Sequence, residues 1–435
     1  MTIRFFLAFA VGAGVCLLLC PSWVQAQVAS KPPEAVAGIP VNYNEELVGT
    51  YPLPDPLLAN GKTITDAATW NKQRRPEIRN WFEQNVYGRA PERPRKLRFE
   101  VFDKGTSAFN GKATRKQVTV YFSERNDGPK MDLLVYLPAG AAKPVPLVLN
   151  INFLANSSLV DDPGVRPGQV WNKDKQRVPA PGYNPNGPMK LTIEPFLTQG
   201  IGVATVYYGD IEPDFDGGIK HGVRSLYLKA GQDKVAPDEW GAIGAWSWGL
   251  SRALDYFEQD KAVDAKRVAL LGASRLGKTV LWAGANDPRF AMVIASVSGE
   301  GGAAISRRNY GETIAHLVAP TRYAYQFCQN YQQLANRTDA PMDSHMLVAL
   351  LAPRPLLLQT GSTDYWSDPK GEFLAAVAAT PVYRLFGKQG VETSVMPAAS
   401  QKTGQTLSYY MHEGGHGIIA SDYEVFAEFI RVHLL

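Results

Sequence analysis

The sequence predicts an α/β protein in which helices cover both faces of a mostly parallel, twisted sheet, giving a three-layer αβα sandwich. Two observations support this prediction. From residue 96 onward, apolar runs typical of strands alternate with helical patterns. Several of these runs, such as VPLVLNINF, are apolar almost without interruption, as expected of strands that are covered on both faces.

Two segments of another kind precede this alternation. Residues 27–43 are rich in Pro and Ala and predict a flexible linker. The stretch TWNKQRRPEIRNWFEQNVYG repeats apolar residues at helical spacing and predicts a helix that ends at Gly88. We therefore expect one folded domain over residues 44–435, with this helix as an N-terminal extension.

Within the alternating part, the elements can be placed in order. KQVTVYF and DLLVYLP predict a pair of strands, the second ended by Pro138-Ala139-Gly140. Further strands are predicted at VPLVLNINF, IGVATVYYGDI, RVALLGAS, FAMVIASVSG, APRPLLLQTG and TLSYYMH. Helices are predicted at EWGAIGAWSWGLSRALDYFE, RLGKTVLWAGA, GEFLAAVAATPVYRLF and DYEVFAEFIRVHLL.

The N-terminus predicts a secretory signal peptide over residues 1–26. An apolar run over residues 5–20 precedes small residues that favour cleavage after Ala26. A membrane anchor is the alternative, but the run is short for a hydrocarbon core of ~30 Å. Two of the three cysteines would leave with the signal, so Cys328 would remain alone without an internal disulfide. We expect a secreted or periplasmic protein.

The charge balance argues against nucleic-acid binding. A formal net charge of +4 is small for 435 residues, and no dense run of Lys and Arg occurs. No His, Asp and Glu cluster has metal-ligand spacing, so the sequence implies neither a metal nor another cofactor. We expect a monomer that does not associate with the membrane once the signal is removed.

The stretch GASRLGK, residues 272–278, joins a predicted strand to a predicted helix. A serine exposed on such a turn is the nucleophile of α/β hydrolases, whose usual pattern is G-x-S-x-G. Here Gly277 comes one position late, although Ala273 and Gly277 still supply small residues for a tight turn. The first N–H groups of the helix would face an oxyanion formed at Ser274. The alternative is that Ser274 only caps the helix.

A serine nucleophile needs a base and an acid, and in this fold they follow in the order serine, acid, histidine. Asp364 stands where a loop leaves the predicted strand PRPLLLQ, and His416 stands in a Gly-rich loop before the last helix. Glu300, which follows the strand after the serine helix, is the alternative acid.

For three other residues near these positions we expect structural roles. Asp368 precedes a proline and a helix, so it is expected to cap that helix. His412 lies inside a strand pattern, where a core histidine is the commoner outcome. His345 begins a helical segment before a strand and is also expected to be structural.

Together these motifs resemble the glucuronoyl esterases, carbohydrate esterase family 15. The family's serine turn has the form G-C-S-R-x-G-K, with Ala273 here in place of the common cysteine. NYGETIAH, ALLAPRPLLL, TDYWSDPKGEF and GGHGI match further family segments in order. The resemblance runs from about Asn42 to the C-terminus and is closer to bacterial than to fungal members. It implies a single α/β-hydrolase catalytic domain over residues 44–435.

The resemblance implies a serine esterase that cleaves the ester between 4-O-methyl-glucuronic acid of glucuronoxylan and lignin alcohols. Ser274 would be the nucleophile and His416 the base. Arg275 would stabilise the oxyanion, rather than being an ordinary solvated helix charge. The implied sugar-binding residues are Lys278, Glu312 and Trp366. Lys278 follows Ser274 by one helical turn and so lies on nearly the same face.

One departure from the fungal pattern bears on the acid. Fungal members carry it at the first position of E-S-G-A-G-G, and the aligned stretch here is VSGEGG, residues 297–302. The acid position is therefore Val297, while Glu300 stands where the family has alanine. Asp364, in the T-D-Y-W segment, fits an acid placed after a later strand. We therefore predict Asp364 as the acid, with Glu300 as the alternative.

Two other functions compete with the glucuronoyl esterase. The first is an acetyl xylan esterase or another α/β-hydrolase carboxylesterase, since one fold supports many chemistries. The implied sugar-binding residues argue against it, because a small acyl group needs none of them. The second is a catalytically silent carbohydrate-binding protein, which would be expected to lack a member of the triad.

Overall fold

The computed structural model describes residues 32–94, 96–187 and 189–435 of the chain. The predicted signal peptide over residues 1–26 lies outside these ranges. In the described ranges, no helix has both the length and the apolar character needed to cross a membrane. Residues Glu34–Leu435 form one compact unit.

One ten-stranded sheet organises the described residues. In chain order its strands are β1 (Arg98–Ala108), β2 (Ala113–Tyr121), β3 (Lys130–Pro138), β4 (Val145–Asn152), β5 (Gly202–Tyr207), β6 (Val263–Ala273), β7 (Met292–Ser296), β8 (Leu356–Gly361), β9 (Lys402–Gly404) and β10 (Leu407–His412). Across the sheet they follow the order β9-β10-β8-β7-β6-β4-β5-β3-β2-β1.

The predicted parallel arrangement is confirmed for the middle of this sheet. Neighbours among β10, β8, β7, β6, β4 and β5 are parallel. The strands on the flanks are antiparallel, because the short connections between β1, β2 and β3 reverse the chain and β9 turns back onto β10. The sheet is therefore mixed, with a parallel centre.

The longer helices agree with the predicted ones. They are α1 (Arg75–Phe82), α2 (Ala242–Phe257), α3 (Arg275–Asn286), α4 (Pro369–Leu385) and α5 (Asp422–Leu434). Shorter helices and helical turns are Glu45–Leu47, Ala67–Thr69, Trp70–Arg74, Glu83–Tyr87, Asn156–Leu159, Glu194–Thr198, Tyr208–Ile211, Gly218–Lys220, Val223–Tyr227, Ile314–Val318, Ala324–Gln326, Gln329–Leu334, Ser344–Ala349 and Tyr365–Ser367.

The N-terminal helical run ends at Gly88, as predicted, because that residue has a φ of 83°. A Cβ at this position would also lie 2.3 Å from the Glu239 carbonyl carbon, so only glycine fits there.

Alternation along β6 shows how helices come to cover both faces of the sheet. Val268 and Leu270 belong to the apolar core that includes α2 and α3. Ala269 and Leu271 point to the opposite face and join the core that includes α5. Because successive strand residues face opposite sides, a continuous apolar run supplies both cores at once. Apolar cores therefore lie on both faces of the mixed sheet, in agreement with the predicted α/β class.

The predicted linker over residues 27–43 differs from the structure in its described part. Ala35–Val36 pairs with Ile39–Pro40 in a short hairpin. The Asn42 amide donates to the Asn309 carbonyl at 2.6 Å, and the Gly311 N–H donates to the Asn42 carbonyl at 2.8 Å. This part is therefore an ordered hairpin and not a flexible linker. The two Asn42 bonds join residues more than 260 positions apart in the sequence, so composition did not signal them.

Two further hairpins stand outside the main sheet; their strands are Leu58–Ala59 with Lys62–Thr63, and Gln169–Trp171 with Arg177–Pro179. At the parallel centre, the carboxyl ends of β6, β8 and β10 meet at one edge. Ser274 directly follows β6, and the loops after β8 and β10 carry Asp364 and His416. This edge is where open α/β sheets bind their ligands.

Candidate active site

Ser274 occupies a strained turn between β6 and α3. Its φ of 58° and ψ of −128° are sparsely populated for an L-residue, and such strain clusters at functional sites. Although Ser274 stands at the N-cap position, its side chain makes no capping hydrogen bond to α3. The hydroxyl is therefore not used for capping, which removes the main support for the capping alternative.

The structure explains why the second glycine of the turn comes late. A Cβ at Gly272 would lie 2.3 Å from the Leu276 carbonyl oxygen, so the turn itself requires glycine there. A Cβ at Gly277 would lie 2.6 Å from the Ser296 carbonyl oxygen on β7. Gly277 thus lets the first turn of α3 pack directly against the neighbouring strand.

His416 lies beside Asp364. Its Nδ1 is 2.7 Å from Asp364 Oδ2 and 3.1 Å from the Ser367 hydroxyl. The Asp364 side chain is 4% exposed, whereas that of His416 is 45% exposed. A buried carboxylate on Nδ1 holds the imidazole with Nε2 available for proton transfer.

Glu300 lies in a different environment. Its Oε1 accepts hydrogen bonds from the Gly301 N–H at 2.9 Å, the Ser306 hydroxyl at 2.6 Å and the Tyr331 hydroxyl at 3.1 Å. Burial raises the pKa of this carboxyl to about 8. At neutral pH Glu300 is therefore mostly protonated and is poorly suited to stabilise an imidazolium.

Arg275 is held by Asp214, a residue that the sequence analysis did not identify. Its guanidinium forms an ion pair with Asp214 and lies 4.7 Å from the Tyr323 ring centroid. Asp214 Oδ1 also accepts from the Tyr325 hydroxyl at 3.0 Å and from the Gln326 amide at 2.7 Å. Burial acts to lower the pKa of Arg275, but the Asp214 carboxylate outweighs it and the pKa is raised. Arg275 therefore remains a cation.

The predicted sugar-binding residues share one polar cavity with the triad candidates. This polar cavity has a volume of about 230 Å³ and is lined by Ser274, Arg275, Lys278, Glu312, Trp366 and His416. Lys278 is 5% exposed, and burial lowers its pKa while Glu312 opposes the shift. The structure therefore brings together every residue predicted for the site except Glu300.

Arg322 is a further lining residue that no motif singled out. It donates to Glu312 at 2.8 Å, and its guanidinium carbon lies 5.3 Å from the Trp366 ring centroid. Its buried Nε has no hydrogen-bond partner in the described structure. Arg322 follows Glu312 by ten residues, and this spacing does not predict a contact between two side chains. The sequence therefore carried no signal for Arg322.

A second, apolar cavity opens on the same serine. This apolar cavity has a volume of about 360 Å³, and it also reaches Arg275 and His416. Its lining is mostly apolar and includes Phe153, Leu154, Leu159, Met189 and Ile418, with Asn150, Asn152 and Lys190 as polar members. Ser274 thus stands at the junction of a polar and an apolar cavity.

Comparison with known proteins decides the family. A family model described as glucuronyl esterase of fungi matches residues 202–387. The carbohydrate esterase MZ0003, from an unknown prokaryotic organism, is 42% identical over 404 residues, which cover 90% of this chain and 92% of the relative. The chain belongs to the glucuronoyl esterases of carbohydrate esterase family 15.

Solved structures of the family superpose closely on this glucuronoyl esterase. The enzyme from Solibacter usitatus has a TM-score of 0.86 at 46% identity, covering 90% of this chain and all of that one (100%). A CE15 esterase from a marine bacterial metagenome, described as promiscuous, has a TM-score of 0.80 at 41% identity, covering 91% of this chain and 100% of the other. The protein is therefore a carboxylic ester hydrolase.

This glucuronoyl esterase departs visibly from the fungal pattern at Val297. The residue has a φ of 40°, which is unusual for a β-branched side chain, and its N–H donates to the Gln359 carbonyl at 2.6 Å. Val297 lines the polar cavity but offers no group that could pair with His416. Among the described residues, the carboxylate in hydrogen-bond contact with His416 is that of Asp364.

Proposed function

We propose that this enzyme has the α/β-hydrolase fold and cleaves glucuronoyl esters through an acyl-enzyme on Ser274. The observation that supports the proposal best is the position of Ser274 at the junction of the two cavities. An ester has an acid part and an alcohol part on opposite sides of its carbonyl carbon. The polar cavity suits a sugar acid, and the apolar cavity suits a bulky alcohol.

The proposed reaction has two steps. The Ser274 oxygen attacks the ester carbonyl while His416 Nε2 takes the hydroxyl proton, and Asp364 stabilises the resulting imidazolium. The negative tetrahedral oxygen is stabilised by Arg275 and by the first N–H groups of α3. The alcohol leaves with the proton from His416, and the acyl-enzyme remains. Water, activated by His416, then releases the glucuronic acid and restores Ser274.

The acid side of the substrate would lie in the polar cavity. Lys278 and Glu312 would bind the sugar hydroxyls, and Trp366 would form a wall beside the uronate ring. Arg322 adds a cation that orients Glu312 beside the sugar ring. Buried groups of this kind favour a polyhydroxylated acid over an acetyl group, since an acetyl group would leave them without partners.

The alcohol side would lie in the apolar cavity, where Phe153, Leu154 and Ile418 present carbon surface. A lignin alcohol, with its aromatic ring, would bury more apolar area there than methanol does. We therefore assign the natural substrate as the ester between 4-O-methyl-glucuronic acid of glucuronoxylan and lignin alcohols. Such a substrate lies outside the cell, which agrees with the predicted secretion of the enzyme after its signal peptide is cleaved behind Ala26. We propose that the mature enzyme is a monomer.

The direct test is hydrolysis of benzyl glucuronate by the purified mature chain, with acetylated xylan as the competing substrate. We expect turnover of benzyl glucuronate and little release of acetate. Rapid release of acetate with no turnover of benzyl glucuronate would favour the acetyl esterase alternative. Broad activity on simple esters would favour a general carboxylesterase, a possibility raised by the similarity to a CE15 esterase described as promiscuous.

The alcohol side can be tested with Leu154→Ala and Ile418→Ala together. Removing this apolar surface is expected to lower kcat/KM for the benzyl ester about 10-fold, or about 1.4 kcal/mol. This is less than two fully buried methylene groups contribute at about 0.8 kcal/mol each, because both side chains are only half-buried. The methyl ester should change much less, because methanol does not reach these side chains. An equal loss on both esters would contradict the assignment of the cavity to the alcohol.

The acid side can be tested with Arg322→Met, which keeps much of the side-chain volume. Loss of the charged hydrogen bond to Glu312 and of the cation beside Trp366 should raise KM for glucuronate esters by about 10- to 100-fold. The matched control is Arg384→Met, which removes an arginine paired with Glu392 on an exposed surface. An unchanged KM in Arg322→Met would remove Arg322 from the sugar site.

A further inference from the structure

A second histidine–aspartate pair lies behind the loop that carries His416. His412, the last residue of β10, is 1% exposed, and Asp422, the first residue of α5, is fully buried. His412 Nδ1 is 2.7 Å from Asp422 Oδ2, and His412 Nε2 is 2.9 Å from the Gly415 carbonyl oxygen. The pair therefore joins the last strand, the last helix and the residue immediately before His416.

The partners of His412 determine where its protons lie. A carbonyl oxygen can only accept, so Nε2 must carry a hydrogen to bond with Gly415. The short contact with Asp422 also needs one proton, whether that proton sits on Nδ1 or on Oδ2. Asp422 Oδ2 accepts from the Ile419 N–H as well, at 2.9 Å, and the Gln359 amide lies 3.0 Å from Nδ1. In each arrangement Nε2–H remains the donor to Gly415.

Electrostatics favour the protonated state of this histidine. Burial acts to lower the pKa of His412, but the Asp422 carboxylate and the Gly415 carbonyl outweigh it, so the pKa is raised. Asp364 acts in the same direction from the loop after β8.

The loop that follows β10 leaves little room around the Gly415 carbonyl, which accepts the hydrogen bond from His412. A Cβ at Gly361 would lie 2.1 Å from the Gly415 carbonyl oxygen, so this loop presses against the end of β8. The Gly414 N–H donates to the Ser362 hydroxyl at 3.0 Å, and the Thr363 N–H donates to the Gly414 carbonyl at 2.8 Å. These bonds hold Gly414, whereas Gly415 is held by the imidazole of His412.

We propose that His412 is a positioning residue that orients His416 through its hydrogen bond to the Gly415 carbonyl. The Gly415 carbonyl belongs to the peptide that enters His416, so its direction sets the backbone from which the His416 imidazole projects. Without this donor, no hydrogen bond fixes the direction of the Gly415 carbonyl, and a small change in that direction is enough to displace the His416 imidazole from Asp364. The sugar-binding residues Lys278, Glu312 and Trp366 would keep their positions. The inference rests on the proposed role of His416 as the base.

Two substitutions by neutral amides, His412→Gln and His412→Asn, test the two contacts of His412 independently. In His412→Gln, the amide nitrogen reaches the region of Nε2 and can still donate to Gly415. In His412→Asn, the shorter side chain reaches only the region of Nδ1, so the contact with Asp422 can persist while the Gly415 bond is lost. We expect kcat on benzyl glucuronate to fall about 10- to 100-fold in His412→Asn, the scale of a misplaced catalytic group. His412→Gln should recover most of kcat, and KM should stay at the parent value in both.

Control measurements show whether His412 positions His416 or only stabilises the fold. His345→Asn replaces another fully buried histidine, whose Nε2 contacts the Pro54 carbonyl at 2.8 Å, and it should leave kcat unchanged when assayed below its unfolding temperature. In proton NMR spectra, the downfield signal of the His416 Nδ1–H shared with Asp364 should persist in His412→Gln and be lost in His412→Asn. If His412→Asn does not fold, His412→Leu replaces it, because it also lacks the donor and fills the buried space.

Equal values of kcat in the Gln and Asn variants, or a parent-like kcat in His412→Asn, would overturn the proposal. His416→Ala, measured alongside, distinguishes this failure from that of the proposed function. If His416→Ala stays active, the mechanism itself is wrong. If His416→Ala is inactive and His412→Asn is not, only the positioning role is wrong.

Discussion

Ser274→Ala is expected to lower kcat on benzyl glucuronate by about 10⁴-fold or more, because the variant has no oxygen to form the acyl-enzyme. Binding should persist, since the polar cavity keeps Lys278, Glu312 and Arg322. A glucuronate product or analogue should therefore bind the variant with an affinity near that of the parent. Initial rates give kcat, and isothermal titration with glucuronic acid gives the affinity.

The matched control is Ser225→Ala, which removes a hydroxyl bonded to the Gly222 carbonyl outside both cavities. It should retain parent activity. Labelling offers a second readout, because a fluorophosphonate should modify the parent at Ser274 and leave Ser274→Ala unmodified. A Ser274→Ala variant that keeps more than a few per cent of parent kcat would rule out the acyl-enzyme mechanism.

The second large effect is expected from Asp364→Asn. An amide nitrogen facing His416 Nδ1 cannot accept its hydrogen, so the imidazole would adopt the tautomer in which Nε2 cannot take a proton. Substitutions of this kind in serine triads lower kcat by about 10⁴-fold with little change in geometry. We expect kcat of Asp364→Asn to fall by about 10³- to 10⁴-fold and KM to change little, as measured by initial rates on benzyl glucuronate.

Glu300→Gln is the matched comparison for the alternative acid. Glu300 has a pKa of about 8 because of burial, so at pH 7 a neutral amide resembles the state already present. The variant should retain most of kcat below pH 8. If Glu300→Gln loses activity and Asp364→Asn keeps it, the esterase assignment survives but the acid is Glu300.

Short-range patterns explain why much of the architecture could be predicted. The apolar run RVALLGAS has the composition of a strand covered on both faces, and Val268 to Leu271 do supply both cores. Gly272 and Gly277 flank a serine between a strand and a helix, a local signal that needs no partner elsewhere. The order of Ser274, Asp364 and His416 follows from strands that alternate with helices in a parallel arrangement. The first two inferences use information within one element or one connection, and the third uses the order of motifs along the chain.

The bonds from Asn42 to Asn309 and Gly311, and the ion pair of Arg275, could not be predicted in this way. Asp214 precedes Arg275 by 61 residues and follows a short helix without a motif. Its role depends on which loops are in contact at the edge of the sheet, and hydropathy patterns do not predict contacts between loops. The same holds for Arg322, whose contact with Trp366 joins two loops that are distant in sequence.

Strand periodicity, turn chemistry and the order of motifs along the chain were enough to predict the fold class, the family and most of the candidate residues. Which carboxylate lies beside His416 follows only from the tertiary structure. It placed Asp364 at 2.7 Å from that histidine and enclosed Glu300 among Gly301, Ser306 and Tyr331. Both carboxylates follow strands that end at the same edge of the sheet, so the sequence alone left both open. The paths of the loops beyond that edge separate them, and those paths depend on packing between residues far apart in the chain.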